Sequence, residues 1–521
     1  MSEKLLTLPI GIQSFERLRG QGCLYVDNME RLMALTATAG RCFLSRPRRF
    51  GKSLTISTLD AMFSGKAELF EGLAAEAWVK DQAQHPAPVL RLDMSALRAY
   101  TSAEELKHAI VEGLRDFAAF HDLELLPEED AGGMLLRTIQ CLFKMGGPVV
   151  VLIDEYDKPI LDNMGELERA DAMRQVLRSF YTVLKGCDEY LRFVMLTGIS
   201  KFTKTGIFSA MNNLNDISMD KQYGDIVGYT QAELEEDFSG WLENAAAGMK
   251  LERGELLKQM KDYYDGFCFD GQTRLYNPFS ILNFLSRQEF KNYWYTSGSP
   301  SFIVSYMKRH KIQDPAEYRH REVLEDFAEA QEIERAAPES FLYQSGYLTI
   351  EEKKGNILVL DYPNYEVRNS LVRMYLDQVY HVREYVTLGG KLWEALSAGD
   401  VGGAVQLYNT ALSGVPYDDF PHRDESWYRS LFLMLLRGAG ISVHGEVHGS
   451  RGRTDVLVGF PSRVVVLEFK LAKDAGEVEA KRVEGQKQME EKGYARPYES
   501  GPRELTTAVI VINGTERQAT L

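Results

Sequence analysis

The chain has 521 residues, 45% of them hydrophobic and 26% charged, and a net charge of −15. That length exceeds a single core and calls for about three domains, and the composition excludes a disordered or fibrous chain. The acidity excludes a surface that is basic all over, yet it is uneven: from Pro421 to Leu521 there are 15 Lys/Arg against 14 Asp/Glu, which leaves −16 for the first 420 residues.

Contact with nucleic acid must then be local, and the last hundred residues are the better place for it. Cys23, Cys42, Cys141, Cys187 and Cys268 are scattered, with no C-x-x-C pair. This favours reduced thiols and argues against structural zinc. The first twenty residues lack a signal-peptide pattern, and no run of about 18 apolar residues occurs. The expectation is a cytoplasmic protein with no membrane association.

In chain order, the first informative stretch is RCFLSRPRRFGKSL, residues 41–54. An apolar strand enters a turn that ends in Gly51-Lys52-Ser53 at the start of a helix. Backbone N–H groups at a helix N-terminus attract anions, a lysine there reaches the outer phosphates, and the next hydroxyl can hold Mg²⁺. Arg46 stands where the general G-x-x-x-x-G-K-[ST] pattern has its first glycine. A basic helix start with a chance Gly-Lys-Ser is the plain alternative until a partner is found.

A helix over 54–63, a turn at Ser64-Gly65, a strand over 89–93 and a helix over 103–117 follow. The partner is the apolar run Val149, Val150, Val151, Leu152, Ile153, a buried parallel strand ending in Asp154-Glu155. Ligands of open α/β sheets sit beyond the carboxyl ends of strands, so both acids face the loop. Asp154 would hold Mg²⁺ through water, and Glu155 would orient or deprotonate the attacking water. A helix over 166–185 leads to a strand over 192–196. Thr197 and Ser200 after it are placed to sense a terminal phosphate, with an ordinary turn hydroxyl an equal alternative. Strands alternating with helices predict a parallel sheet covered on both faces.

Residues 230–264 read as helical, Asn277-Pro278-Phe279 opens another helix, and 290–335 reads as largely helical and charged. FLYQSGYLTI, residues 341–350, alternates as a strand and pairs with 357–361 in a hairpin. Such a hairpin is either the wing of a winged helix or a structural hairpin, the latter slightly favoured. Helices fill most of 366–412, and 415–419 looks like a boundary.

The last region opens with a helix over 423–438, then strands over 443–447, 454–458 and 463–470. Alternation puts Glu468 and Lys470 on one strand face and Val465, Leu467 and Phe469 on the other, with Asp455 near on the adjacent strand. Two acids and a lysine at one end of a small sheet suit a Mg²⁺ site for phosphodiester cleavage. The carboxylates hold a hard cation that activates water, and Lys470 positions that water or offsets developing charge. As a bare spacing, without the hairpin around it, D-x12-E-x-K fits a solvated edge strand with a salt bridge better. His444 and His448 do not share a helical face, and this region has no cysteine, so zinc is not expected.

With both constellations in view, the chain resembles a bacterial family that fuses an AAA-ATPase-like domain to a PD-(D/E)XK nuclease-superfamily domain. The resemblance rests on LPIGIQSFERLR, YVDNMERL, RPRRFGKSL, VLIDEYDKPI, LTGISKFTKTGIFSAMNNL, YDGF with YNPFSIL, LYQSGYLTI, GRTDVLV, VLEFK and QMEEKGYARPY. It implies ATP contact at Gly51, Lys52 and Ser53, to which Thr197 is added as a nucleotide contact by its place at the strand end alone. It implies Mg²⁺ and hydrolysis roles at Asp154 and Glu155, and nuclease roles at Asp455, Glu468 and Lys470. Gln488 matches the glutamine of the helix after the core strands, Glu425 the acid many members place beside the metal, and Arg46 the family's own loop.

The fold expected is α/β in three parts. Residues 1–285 form a P-loop parallel-sheet ATPase domain with a helical lid. Residues 286–415 form a helical, winged-helix-like region with a β-hairpin, and residues 416–521 a PD-(D/E)XK nuclease-like domain. The function expected is an ATP-regulated, Mg²⁺-dependent nuclease, with nucleic acid as partner, DNA ahead of RNA, and homo-oligomer formation open. The alternative is a nucleotide-switched binding or assembly ATPase whose nuclease-like domain does not cut. A basic patch of Arg451, Arg453, Lys473 and Lys487 is the expected contact surface.

Overall fold

The computed structural model describes residues 5–38, 40–125, 130–201, 214–296, 301–310, 312, 315–328, 336–415, 423–441, 443–448, 453–499 and 501–521. The chain gathers into two units, Met1–Tyr306 with Tyr318–Val367, and Met307–Glu317 with Arg368–Leu521.

Five strands build the main sheet of the first unit: β1 (Arg41–Ser45), β2 (Val89–Asp93), β3 (Val149–Asp154), β4 (Leu191–Gly198) and β5 (Asn215–Asp216). All pairs are parallel, in the order β2-β3-β4-β1-β5. Every residue of β1 and β3 is buried, and the apolar runs Cys42–Leu44 and Val149–Ile153 are what a strand covered by helices on both faces requires. From β1 the chain crosses to the far edge and returns, so β4 lands between β1 and β3. The helix Ala131–Gly146 in this return was not among the expected elements. It starts at Asp130, whose side chain accepts from the Gly133 N–H at 2.8 Å. Its two N-terminal glycines obscure the helical pattern.

The predicted lid is a helical layer. Thr230 and Glu233 form a reciprocal capping box at the helix Gln231–Asp237, and Asn277 caps Pro278–Arg287. Leu8 and Leu24 from the N-terminal segment enter the core these helices share with Leu234, Phe238 and Phe284.

The strands β6 (Arg321–Leu324), β7 (Thr349–Lys354) and β8 (Ile357–Asp361) form an antiparallel sheet in the order β6-β8-β7. The hairpin is as expected, but its first strand is shorter. Pro338–Gln344 is a helix with proline in its first turn, Gly346 takes φ 88°, and β7 begins at Thr349. Phe341, Leu342, Tyr343 and Gln344 are buried in succession, so every side of this short helix is packed and its alternating letters mislead. β6 falls in the stretch expected to be helical. Its residues are mostly exposed, and its ladder comes from β8, distant in sequence.

The second unit holds β9 (Val443–His448), β10 (Arg453–Gly459), β11 (Arg463–Ala472), β12 (Glu504–Asn513) and β13 (Gln518–Thr520) in the order β13-β12-β11-β10-β9. β11 and β12 are parallel and are joined through the helix Val478–Lys492, and the other pairs are antiparallel. Alternation along β11 divides it as expected. Phe469 meets Tyr408 and Phe432, while Val464 and Val466 pack with Met489, Val509 and Val511. Asn409 grips the edge strand: its amide donates to Ala519 O at 2.9 Å and its Oδ1 accepts the Ala519 N–H at 2.7 Å.

Candidate functional site

In the first unit, Gly51 takes φ 97°, a conformation natural to glycine, and the helix Lys52–Phe63 starts beside it. Lys52 is buried, and its Nζ donates to Arg46 O and Pro47 O at 2.9 Å each. Burial pushes this ammonium below its ordinary value, against the nearby charges of Asp154, Glu155 and Asp157. Because β4 lies between β1 and β3, Thr197 sits beside Asp154, and its Oγ1 donates to Asp154 Oδ1 at 2.5 Å. The same oxygen accepts the Glu155 N–H at 3.0 Å. Glu155 adopts φ 49°, uncommon for a residue with a side chain, and burial pushes its carboxyl up against the pull of Lys52. Ser53 is half-buried in the first turn. The structure thus brings Gly51, Lys52, Ser53, Asp154, Glu155 and Thr197 to one end of the sheet.

Ser200 and Arg46 go elsewhere. The Ser200 N–H and hydroxyl both donate to Asp157 Oδ2 at 2.7 Å, and the Tyr156 hydroxyl donates to Ser200 O at 2.7 Å. Ser200 is therefore a turn hydroxyl. Asp157, which sequence reasoning did not single out, is the buried acid that fixes this turn; the third acid of the D-E-x-D run is its signal. Arg46 is 1% exposed, and its guanidinium donates to Ser45 O at 2.9 Å, Ser218 O at 2.7 Å and Tyr223 O at 3.2 Å. It lies 4.3 Å over the Phe269 ring, and burial pushes its value down to about 10. Arg46 builds the loop from behind, and only its carbonyl reaches Lys52.

A pocket of about 70 Å³ adjoins Gly51. Asn28 and Val26 line it from the N-terminal segment, Leu54 from the loop helix, and Val227, Tyr229 and Pro278 from the lid side.

In the second unit, Glu425 opens the helix Glu425–Gly438, where Asp424 accepts the Trp427 N–H. Its Oε2 accepts the Leu471 N–H at 3.1 Å, and its Oε1 lies 3.8 Å from Lys470 Nζ. Lys470 Nζ donates to Glu468 Oε1 at 2.7 Å, while Glu468 Oε2 is buried without a hydrogen-bond partner. Asp455 Oδ2 accepts the Phe469 N–H at 2.9 Å, and its Oδ1 accepts from Arg429 at 2.9 Å. Burial, with Asp455 nearby, pushes the Glu468 carboxyl up to about 7 against the pull of Lys470. Burial acts to lower the Lys470 ammonium, but Glu468, Glu425 and Asp455 outweigh it and raise the value.

Glu425, Asp455, Glu468 and Lys470 thus meet in one cluster. Glu468 is 1% and Lys470 6% exposed, so the polar face of β11 is not the solvated one that an edge strand would have. The helix Val478–Lys492 covers it closely: a Cβ at Gly485 would lie 2.6 Å from Val509 and 3.3 Å from Lys470. Gln488 is half-buried on that helix, and its amide donates to the Tyr494 hydroxyl at 3.2 Å. Arg429 escaped sequence reasoning, although its place four residues after Glu425 puts both on one helical face. In the expected basic patch, Lys473 and Lys487 are exposed. Arg451 lies outside the described residues, as does the Arg453 side chain. The carboxylate oxygens suit a hard divalent cation, and the orphaned Glu468 Oε2 fits such an occupant.

Another acid group, His320, Glu351 and Asp361, lies in the first unit. Asp361 is already ion-paired with Arg319 at 2.9 Å, and His320 Nδ1 lies 2.8 Å from Glu351, so both acids of the group have partners.

A phosphate-loop sheet with acids across an intervening strand, and a small mixed sheet carrying an acid and the E-x-K pair, define an ATPase-like domain and a nuclease-like domain in one chain. Residues 9–208 match the family described as predicted AAA-ATPase, and residues 423–520 match the PD-(D/E)XK nuclease superfamily. The chain belongs to the family that joins these two domains. It is 34% identical over 506 residues, 94% of its length and 93% of the relative's, to an uncharacterized protein in the vnfD 5′ region of Azotobacter chroococcum mcd 1.

Two solved structures from Aeropyrum pernix overlap loosely. The ORC1 protein in complex with DNA has 11% identity and a TM-score of 0.25, covering 83% of this chain and 89% of its own. The ORC2 protein has 12% identity and a TM-score of 0.27, covering 85% and 89%. Superpositions this loose bear on neither fold nor function. The first domain implies nucleotide binding and the second a divalent metal. Among the described residues no helix is long and apolar enough to cross a membrane.

Proposed function

We propose that this protein is an ATP-regulated, Mg²⁺-dependent nuclease acting on nucleic-acid phosphodiesters, with DNA ahead of RNA. One observation carries the reading: Glu468 is buried against Lys470 with one carboxylate oxygen unpartnered, beside Asp455 and Glu425. A binding module needs no buried orphaned carboxylate, which is costly unless a ligand completes it. Asp455, Glu468 and Glu425 would hold the cation, which supplies charge neutralisation and an acidified water. Lys470 orients that water or offsets charge on the phosphate. Gln488 stays a candidate for contact on the covering helix.

ATP regulation rests on the first unit. Gly51, Lys52 and Ser53 would take the phosphates, Asp154 and Ser53 the Mg²⁺, and Glu155 the attacking water, with Thr197 between loop and acid. The pocket of about 70 Å³ beside Gly51 suits one face of a base. It is well below the roughly 300 Å³ of a ligand site, so it would take only part of a nucleotide. The proposal assigns residues 1–285 to the ATPase with lid, 286–415 to the connecting region and 416–521 to the nuclease-like domain.

The test is incubation of the purified chain with circular and linear DNA and RNA, with Mg²⁺ or Mn²⁺, with and without ATP. Cleavage that needs the metal and changes with ATP is expected. An inert wild-type chain that binds nucleic acid only in one nucleotide state would replace this reading with the switched binder.

A further inference from the structure

Arg429 has no part in the hydrolysis just described, yet it stands inside the site. It lies one helical turn beyond Glu425, and its Nη1 donates to Asp455 Oδ1 at 2.9 Å, with 11% of each side chain exposed. Its Nη2 lies 3.3 Å from Ser426 Oγ. Phe469 N holds the other Asp455 oxygen. Both oxygens of an acid needed by a metal are therefore taken, while the buried Glu468 Oε2 has no partner.

Charge makes the arrangement intelligible. With Glu425, Asp455 and Glu468 ionised and Lys470 and Arg429 protonated, the cluster is singly negative. A divalent cation reverses its sign, and one phosphodiester then brings it to neutrality. We propose that Arg429 is a placeholder for the metal on Asp455 and that, once the metal displaces it, it becomes a ligand for the non-bridging oxygen of the phosphodiester. A guanidinium fork matches carboxylate and phosphate oxygens alike, so the exchange needs no new chemistry from the side chain. The inference rests on the nuclease reading for its substrate but not for its metal competition.

The full chain tests it through Mn²⁺ affinity by calorimetry and through DNA cleavage at saturating Mn²⁺. A charge within hydrogen-bonding reach shifts a carboxylate equilibrium by about one to three powers of ten, so Arg429→Met should bind Mn²⁺ about tenfold or more tightly. The same variant should cleave about a hundredfold or more slowly, having lost a cation on the phosphate. Arg429→Lys, which keeps the charge but not the fork, should bind Mn²⁺ much as the wild type does and also cleave slowly. An Mn²⁺ affinity that does not rise in Arg429→Met overturns the proposal. If that variant does not fold, wild-type cleavage by Arg429→Lys overturns it instead. A wild-type chain that cuts nothing removes the nuclease reading. A rise in Mn²⁺ affinity in Arg429→Met would still uphold the placeholder.

Discussion

Lys52 and Lys470 are both buried and both central to a site, but their neighbours treat them in opposite ways. Two neutral backbone carbonyls hold Lys52, while Asp154 is tied to Thr197 on the adjacent strand. Lys470 is held by the carboxylate of Glu468, with Glu425 close by. Burial lowers the first ammonium, and the acids raise the second. The first lysine donates to backbone dipoles rather than to a carboxylate, so an anionic ligand can claim it by displacing those dipoles. The second is already neutralised within a cluster of net negative charge, and what that cluster lacks is a cation. The same residue type is set for opposite ligands by what surrounds it.

The largest expected effect breaks the second half of this comparison. Lys470→Ala should lower cleavage by about a thousandfold or more yet keep the divalent ion, whereas Asp455→Ala should lose both. Cleavage rates and calorimetry check this, and a Lys470 variant that cuts normally would remove the lysine from the chemistry. These changes also lower the melting temperature, because removing one partner of a buried pair costs about 3–5 kcal/mol. Melting alone therefore does not separate catalysis from structure here.

Next in size, Lys52→Ala should weaken ATP binding about a hundredfold by calorimetry, since charge-assisted contacts to phosphate are the strong ones. Glu155→Gln should keep binding and slow hydrolysis. Unchanged ATP affinity in Lys52→Ala would end the idea of a charge held in reserve.

A smaller effect concerns the loop that holds Lys52. Arg46→Gly restores the general glycine pattern but removes three guanidinium hydrogen bonds and the contact over Phe269. It should cost about 3 kcal/mol of stability, read from the urea midpoint. A variant as stable as the wild type would show that the buried guanidinium merely occupies space.

Much of this was legible because local pattern and tertiary need agree. The apolar run before Asp154-Glu155, the Gly51-Lys52-Ser53 helix start and the alternation around Glu468 all report buried strands or a helix end directly. What escaped depended on distant partners. Nothing in the letters places β4 between β1 and β3, the arrangement that sets Thr197 beside Asp154. The helix Pro338–Gln344 reads as a strand because burial on all sides removes its period. The polar face of β11 reads as solvated because the helix that covers it, Val478–Lys492, meets it through Gly485, a residue with no side chain to announce the contact.

The smallest effect sharpens the comparison through pH. Glu468 has its carboxyl raised to about 7 from the ordinary 4.5, chiefly by burial. A folded value above the unfolded one means that the folded chain binds the extra proton between those limits. The contribution to stability is then fully present below about pH 4.5 and is lost as pH rises toward 7. Metal binding runs the other way, because the cation needs the ionised carboxylate. Mn²⁺ affinity should fall by up to about tenfold per pH unit below 7 and level off above it, with about one proton released on binding at pH 6 and almost none at pH 8. Calorimetry in buffers of different ionisation enthalpy counts those protons. Glu468→Gln should abolish the dependence along with most of the affinity. An affinity constant from pH 6 to 8 would mean that Lys470 keeps Glu468 ionised throughout, and the second site would then be as ready for its cation as the first is for its phosphate.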